Sequence, residues 1–270
     1  MKIVVIFGSH RRTGQTMKVC QLFETEVKKL IDADFEYVIL QDADLKMCVG
    51  CVQCLPKGEE FCPHKSDDRD KILEKMMQAD GIVLATPNYA FNVTNILKNF
   101  FDRTAFIFHR PRFFHKVFTG IVTQGIYGGE NILKYLKSIG SFLGGITVPG
   151  INLTLQSGAA YDLNIPWNEK EKANVDKAVK KLAKKFVKAL QGNRSPEPKW
   201  FNFFVFRSVR TLSKYAEGDD KDSIYWKEKG WLESAYYYPV KLGIARNLAG
   251  KLLDSFNKRM ALKNKGKSRS

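Results

Sequence analysis

The sequence predicts a doubly wound α/β fold: a five-stranded parallel sheet covered by helices on both faces, followed by a mainly helical C-terminal extension. Three observations predict it. Short apolar, β-branched runs recur along the first 190 residues, stretches of helical periodicity separate them, and a Gly/Pro-rich break at 192–198 precedes a segment of different composition. Continuous apolar strands belong to parallel sheets buried on both faces, and strands alternating with helices build such sheets.

The first strand is Lys2–Phe7, an unbroken apolar run. A helix over 14–31 follows from the recurrence of Met17, Val19, Cys20, Leu22, Phe23, Val27, Leu30 and Ile31 on one face. Cys20, on that face, reads as a small buried hydrophobe. The second strand is 35–40. A helix over 67–78 opens on acidic residues that serve as its cap. The third strand, 81–85, ends at Thr86-Pro87, and a helix over 94–103 comes next. The fourth strand, 117–123, ends at Gln124-Gly125. A helix over 130–143 leads to a fifth strand, 146–155, kinked at Pro149-Gly150. The last helix of the first domain, 168–190, is Lys-rich, with its charges turned to water. Gly192, Pro196 and Pro198 break any helix, which sets the domains at 1–192 and 193–270.

Composition narrows the function classes. Hydrophobic residues make up 44% and charged residues 27%, as in an ordinary globular protein, which excludes a mostly disordered or collagenous chain. No apolar run approaches the roughly 18 residues that span a bilayer. The N-terminal apolar run is too short for a signal peptide, and four of the five cysteines crowd between 48 and 62 rather than spreading as a disulfide framework. A reducing, cytoplasmic location is expected. The net charge is +16, and residues 194–270 carry 17 Lys/Arg against 8 Asp/Glu together with 13 of the 33 aromatics.

Ligands of open parallel sheets sit at the carboxyl ends of the strands, so the loops after strands one, three and four carry the argument. The first reads Gly8-Ser9-His10-Arg11-Arg12-Thr13-Gly14-Gln15-Thr16 and opens a helix. Its glycines, hydroxyls and arginines at a helix N-terminus suit a phosphate. It lacks the Gly-x-Gly-x-x-Gly dinucleotide pattern and has no Walker lysine.

This loop resembles the phosphate loop of the flavodoxin-like, NAD(P)H-dependent FMN reductases. Thr86-Pro87-Asn88-Tyr89-Ala90-Phe91-Asn92, followed by Lys98-Asn99-Phe100-Phe101-Asp102-Arg103, resembles that family's loop against the flavin ring. Thr123-Gln124-Gly125-Ile126-Tyr127-Gly128-Gly129 resembles its second flavin-contacting loop. The resemblance spans about residues 1–190 and implies a flavodoxin-like fold, bound FMN, NAD(P)H as electron donor, and a homodimer or homotetramer. Gln15 stands where the family commonly has Asn, and keeps the amide.

On this reading Ser9, His10, Arg11, Gly14, Gln15 and Thr16 hold or neighbour the phosphate. Pro87, Asn88, Tyr89, Phe91 and Asn92 set a turn against the ring. Thr123, Gln124, Gly125, Tyr127, Gly128 and Gly129 bring backbone close to it, as glycine allows. Tyr89, Phe91 and Tyr127 either stack near the ring or pack as core. The protein's part in such chemistry is positioning and electrostatics, in keeping with the absence of any catalytic nucleophile or carboxylate pair. His64, His109 and His115 show no metal-ligand spacing and read as surface.

Cys48, Cys51, Cys54 and Cys62 are spaced C-x2-C-x2-C-x7-C, and Pro63 follows. The x2 spacing lets three thiolates face one [4Fe–4S] cube, as in the bacterial ferredoxin run that ends in Cys-Pro. Within the family this resembles the compact cysteine motif of iron–sulfur flavoproteins. Structural zinc on four thiolates and unmetallated, redox-active thiols are the other two readings.

The extension carries Trp200-Phe201-Asn202-Phe203-Phe204-Val205-Phe206, later Tyr225, Trp226, Trp231 and Tyr236 to Tyr238, a helix-like stretch over 240–262, and a frayed basic tail over 263–270. Three readings fit it: wrapping a partner subunit, peripheral contact of 200–262 with an anionic membrane surface, or packing on its own subunit. The charge comes with no nucleic-acid recognition motif, and no specific nucleic-acid partner is expected. The functional expectation is an FMN-dependent NAD(P)H oxidoreductase acting on a small acceptor such as a quinone, flavin, azo or nitro compound. The alternatives are an electron carrier serving ferredoxin-like partners and a redox sensor.

Overall fold

The computed structural model describes residues 1–156, 166–215 and 220–267, with side chains described through Lys263. The tail residues 268–270 lie outside the described residues. The chain divides into two compact units: Met1–Cys51 with His64–Arg194, and Val52–Pro63 with Ser195–Ser270. Nothing local in the sequence of Val52–Pro63 marks its grouping with the C-terminal unit.

The first unit is built from β1 (Lys2–Phe7), α1 (Gln15–Lys28), β2 (Asp34–Ile39), α2 (Arg69–Gln78), β3 (Gly81–Pro87), α3 (Asn95–Arg103), the single turn α4 (Phe106–His109), β4 (Val117–Gln124), α5 (Gly129–Phe142), β5 (Ile146–Thr147), β6 (Ile151–Thr154) and α6 (Glu169–Gln191). The strand order is β2-β1-β3-β4-β5, with β6 also on β4, and every pairing is parallel. This is the flavodoxin-like order, whose direction reverses between β1 and β3 and opens a crevice at the carboxyl ends there.

The strand alternation sorts the core. Ile3, Val5 and Phe7 of β1, with Val83, Ala85, Val117 and Ile121, face a cluster from α1 and α6 that includes Phe23, Val27, Val179, Leu182 and Phe186. Val4, Ile6, Ile82, Leu84 and Val122 point to the opposite face and are equally buried. Helix α6 turns Val175, Val179, Leu182, Ala183, Phe186, Val187 and Leu190 inward. Asn168 closes a full capping box with Glu171 at its start.

The fifth strand, kinked at Pro149-Gly150 as expected, lies on β4 as two short strands either side of the kink. A Cβ at Gly150 would overlap the Gly120 carbonyl oxygen, so only glycine fits this close approach. Helix α2 starts at Arg69: Asp68 takes the N-cap position without a side-chain cap bond, while Asp67 Oδ1 accepts from the Arg69 amide at 3.1 Å and the carboxylate lies buried against Arg103 of α3.

The second unit holds α7 (Trp200–Tyr215), α8 (Lys221–Glu228) and α9 (Ile244–Lys267), with an aromatic cluster formed by α7, α8 and the turn that follows α8. Phe206 stacks on Trp226 at 5.6 Å and meets Tyr237 edge-on at 4.6 Å, and Trp231 meets Tyr237 at 4.7 Å. The stretch Val52–Pro63 joins this unit through the Lys221 amide, which donates to the Pro56 carbonyl at 2.8 Å, and through the Lys221–Glu60 ion pair at 3.1 Å.

Candidate active site

The carboxyl ends of β1, β3 and β4 form an open cleft. From the first loop it is lined by Ser9, Arg11, Gly14, Gln15 and Thr16; from the second by Pro87, Asn88 and Tyr89; from the third by Thr123, Gln124 and Gly125. Leu155, just beyond β6, completes the wall and carries no signal in the sequence beyond its apolar side chain. His10, Phe91, Asn92, Tyr127, Gly128 and Gly129 lie outside this lining.

The first loop is fixed from below. Gly8 donates its amide to Ala85 O at 2.8 Å, and its carbonyl accepts from Thr94 Oγ1 at 2.7 Å. The buried Ser9 hydroxyl accepts from the Arg11 amide at 3.2 Å. Gly14 is the N-cap of α1 with no side-chain cap, so the first turn of the helix presents its N–H groups to the cleft, and no acidic residue stands there. Gln15 Oε1 accepts from the Trp167 indole N–H at 2.5 Å. Sequence reasoning missed that contact because 152 residues separate the partners. His10 is held between Gln41 and Asn95, with its Nε2 2.7 Å from Asn95 Oδ1.

Thr16 and Thr123, both buried, place their hydroxyls 2.7 Å apart. In such a pair one hydroxyl donates, and the other keeps its proton for a third partner. Both residues line the cleft.

The second loop is a tight hairpin in which the amides of Tyr89 and Asn92 each donate to the other's carbonyl, at 3.1 and 3.0 Å. Its two central residues, Ala90 and Phe91, have φ of 49° and 64°. Such a turn favours Asn or Gly at both positions, so two ordinary side chains here store strain at the rim of the cleft. The Asn88 amide donates to Thr123 O at 2.8 Å, so it is held within the sheet rather than offered to the cleft. The Asn88 side chain donates to Tyr127 O at 2.8 Å and to Gln124 Oε1 at 3.3 Å, and its Oδ1 is buried with no hydrogen-bond partner. A buried acceptor without a donor costs about 1–3 kcal/mol unless a ligand supplies one.

Gln124 organises the third loop: its Oε1 also accepts from the Gly129 amide at 2.7 Å, and its Nε2 donates to Thr154 Oγ1 at 2.9 Å. Gly128 has φ of 99°, and a Cβ there would lie 2.7 Å from Phe91 Cδ1. Gly128→Ala is therefore expected to lower stability by roughly 1–3 kcal/mol and to displace the Phe91 ring. Urea unfolding checks the loss, and the NMR ring-proton shifts of the Phe91–Tyr127 pair, whose centroids are 5.2 Å apart, check the displacement. An unfolding midpoint equal to the parent's would refute the strain.

The cysteines lie elsewhere. Cys48 and Cys51 are exposed, Cys54 and Cys62 half-buried. Among the described residues no three His, Cys, Asp or Glu side chains converge as a metal-holding group. Cys48 and Cys51 fall in the first unit, Cys54 and Cys62 in the second. Regular structure between them is a single 3₁₀ turn at Glu59–Phe61. Val52 has φ of 60°, a rare conformation for a β-branched residue.

The flanks of this segment are anchored in the first unit. Asn99 Oδ1 accepts from the Cys48 amide at 2.9 Å, and its Nδ2 donates to Lys46 O at 3.1 Å. Arg103 donates to Lys46 O at 2.8 Å and to His64 O at 3.0 Å while pairing with both carboxylate oxygens of Asp67. Burial pulls the Asp67 pKa upward, but the Arg103 hydrogen bond and the Arg69 and Lys46 amides outweigh it and hold the carboxyl below its ordinary value.

Three comparisons locate this arrangement among known proteins. Residues 1–160 match the model of the NADPH-dependent FMN reductase family. An iron–sulfur flavoprotein of Methanosarcina thermophila is 31% identical over 196 residues, covering 71% of this chain and 96% of the relative. An iron–sulfur flavoprotein of Clostridioides difficile strain 630 is 26% identical over 235 residues, covering 85% and 99%. Among solved structures, RosB with bound 8-demethyl-8-formylriboflavin-5'-phosphate aligns with a TM-score of 0.54 at 14% identity, covering 90% of this chain and 92% of that one. That likeness speaks to the fold. The chain belongs to the NADPH-dependent FMN reductase family, in its iron–sulfur flavoprotein branch, and is an FMN-dependent oxidoreductase that uses NAD(P)H.

Proposed function

We propose that the strand-end cleft is where FMN is held, and that the enzyme there passes electrons from NAD(P)H to a small acceptor of the quinone, flavin, azo or nitro class. One observation carries the reading: the first turn of α1, the paired hydroxyls of Thr16 and Thr123, and the unpartnered Asn88 Oδ1 all belong to one cleft. These residues fit the group. Ser9, Arg11, Gln15 and Thr16 supply phosphate donors, with Gly14 leaving room for backbone approach, and Asn88 supplies an acceptor for a ring N–H. FMN supplies the two-electron chemistry, and the chain supplies position and electrostatics. Tyr89, 44% exposed, shields one edge of the cleft, and the Gln124 network keeps the Thr123 to Gly125 wall rigid. Exposed Phe91, Ile126 and Tyr127 near the rim favour assembly as a homodimer or homotetramer.

The four cysteines are proposed to hold a [4Fe–4S] cluster. The support is their spacing, their soft donor chemistry and the names of the relatives. Among the described residues the thiols do not converge, so holding a cluster would require the 48–62 segment to rearrange around it, as metal binding commonly reshapes its ligand loop. A cluster would favour a second reading in which ferredoxin-like proteins exchange electrons with the enzyme. The exposed Cys48 and Cys51 favour it, since an exchange partner needs surface access.

The test is an absorption spectrum of anaerobically purified protein, with iron and sulfide assays and additions of NADH and NADPH. Flavin bands that bleach with a nicotinamide are expected, with about four iron per chain. Failure to take up added FMN would overturn the site. Flavin without iron would retire the cluster, and stoichiometric zinc would replace it.

A further inference from the structure

Helix α9 is turned inside out. Its polar side meets α7: Asp254 accepts from Arg207, Arg210 and Thr211, the last at 2.9 Å, and Asn257 Nδ2 donates to Ser208 Oγ at 3.1 Å. Near its start Arg246 pairs with Glu197 at 2.6 Å. Its apolar side is bare. Ile244, Leu248, Leu252, Phe256 and Met260 recur at every fourth position, between 45% and 89% exposed. An amphipathic helix ordinarily buries its apolar stripe, so this one awaits an occupant.

Two features identify it. At 3.6 residues per turn each fourth-residue step advances about 40° around the helix, so the ladder sweeps about 160°. That is too wide for the narrow seam one partner helix covers and suits a planar surface. The charge is one-sided as well. Lys251, Lys258, Arg259 and Lys263 are exposed along the same helix, while its one acid among the described side chains, Asp254, is engaged by Arg207 and Arg210. Arg259 and Lys263 rise within the apolar sector itself. Two copies pairing through this face would bring these cations together, whereas anionic headgroups would neutralise them while the long stems lie along the apolar phase.

We propose that the α9 face docks the protein onto an anionic phospholipid surface, lying in the interfacial plane. It does not cross the bilayer: no described helix is long and apolar enough.

The test is flotation of the full chain with phosphatidylcholine vesicles and with vesicles containing phosphatidylglycerol. Leu252→Glu and Phe256→Glu, both at exposed positions, and Arg259→Glu are compared with the parent, and each is checked for an unchanged thermal melt. The parent is expected to float with the anionic vesicles, less so at high salt, and weakly with phosphatidylcholine. Each substitution is expected to weaken flotation roughly tenfold or more. No flotation of the parent with anionic vesicles would overturn the proposal, as would flotation unaffected by Leu252→Glu and Phe256→Glu. A non-floating parent that self-associates, and that Phe256→Glu converts to a smaller species, would assign the face to a second copy instead.

Discussion

Replacing Arg103 with Met is expected to cost about 3–5 kcal/mol of folding stability, the range for removing one partner of a buried ion pair. The Arg103 and Asp67 side chains are 1% and 3% exposed, so the substitution leaves a carboxylate with no solvent to turn to. It also strips donors from Lys46 O and His64 O. For a unit of this size the melting temperature should fall by roughly 6–20 °C. Arg103→Lys should recover little. Two guanidinium nitrogens here serve four acceptors in fixed directions, and one ammonium cannot. Urea unfolding monitored by circular dichroism reads the loss, and a midpoint equal to the parent's would show that the pair contributes no net stability. Acid supplies an independent arm. The native pKa of Asp67 lies below its unfolded value, so this contribution is complete above roughly pH 5 and is lost as the pH falls below about 4 towards the native value. In Arg103→Met that part of the acid sensitivity should disappear.

Arg11→Ala is expected to weaken FMN binding by about 1.5–3 kcal/mol, or roughly 10- to 150-fold, the worth of a hydrogen bond to a charged group. Riboflavin, which lacks the phosphate, should bind parent and variant alike. Flavin-fluorescence titrations with the two ligands read the difference directly. Equal weakening for both would place Arg11 against the ring rather than the phosphate, and no weakening for either would remove it from the site. Stability should hardly change, since Arg11 is exposed.

The parts of the protein legible in its sequence are those written locally. Each buried strand is a contiguous apolar run, so Lys2–Phe7 and its parallel partners declare themselves, and the three loops at their ends follow. Ser9, Arg11, Gln15, Asn88 and Gln124 come together because the strand order brings β1, β3 and β4 side by side. What stayed hidden depends on distant partners or on conformations that composition does not signal. Asp67 takes the Arg69 amide at the start of α2, as a local reading expects, but its ion pair with Arg103, 36 residues on, has no local signal. Trp167 on Gln15 is hidden for the same reason. The Ala90-Phe91 turn escapes notice because neither residue is the Asn or Gly that its positive φ angles favour. The inversion of α9 is invisible because periodicity marks an apolar face without saying whether anything covers it.

One guanidinium holds both Lys46 and His64, and the chain between them carries all four clustered cysteines. The ends of this excursion are therefore set by the sheet domain, whatever lies between. Closing a flexible loop costs only about 0.6 kcal/mol more for each doubling of its length. The ends of the excursion are thus fixed independently of its thiol spacing, while its middle, Val52–Pro63, answers to the C-terminal unit through Lys221.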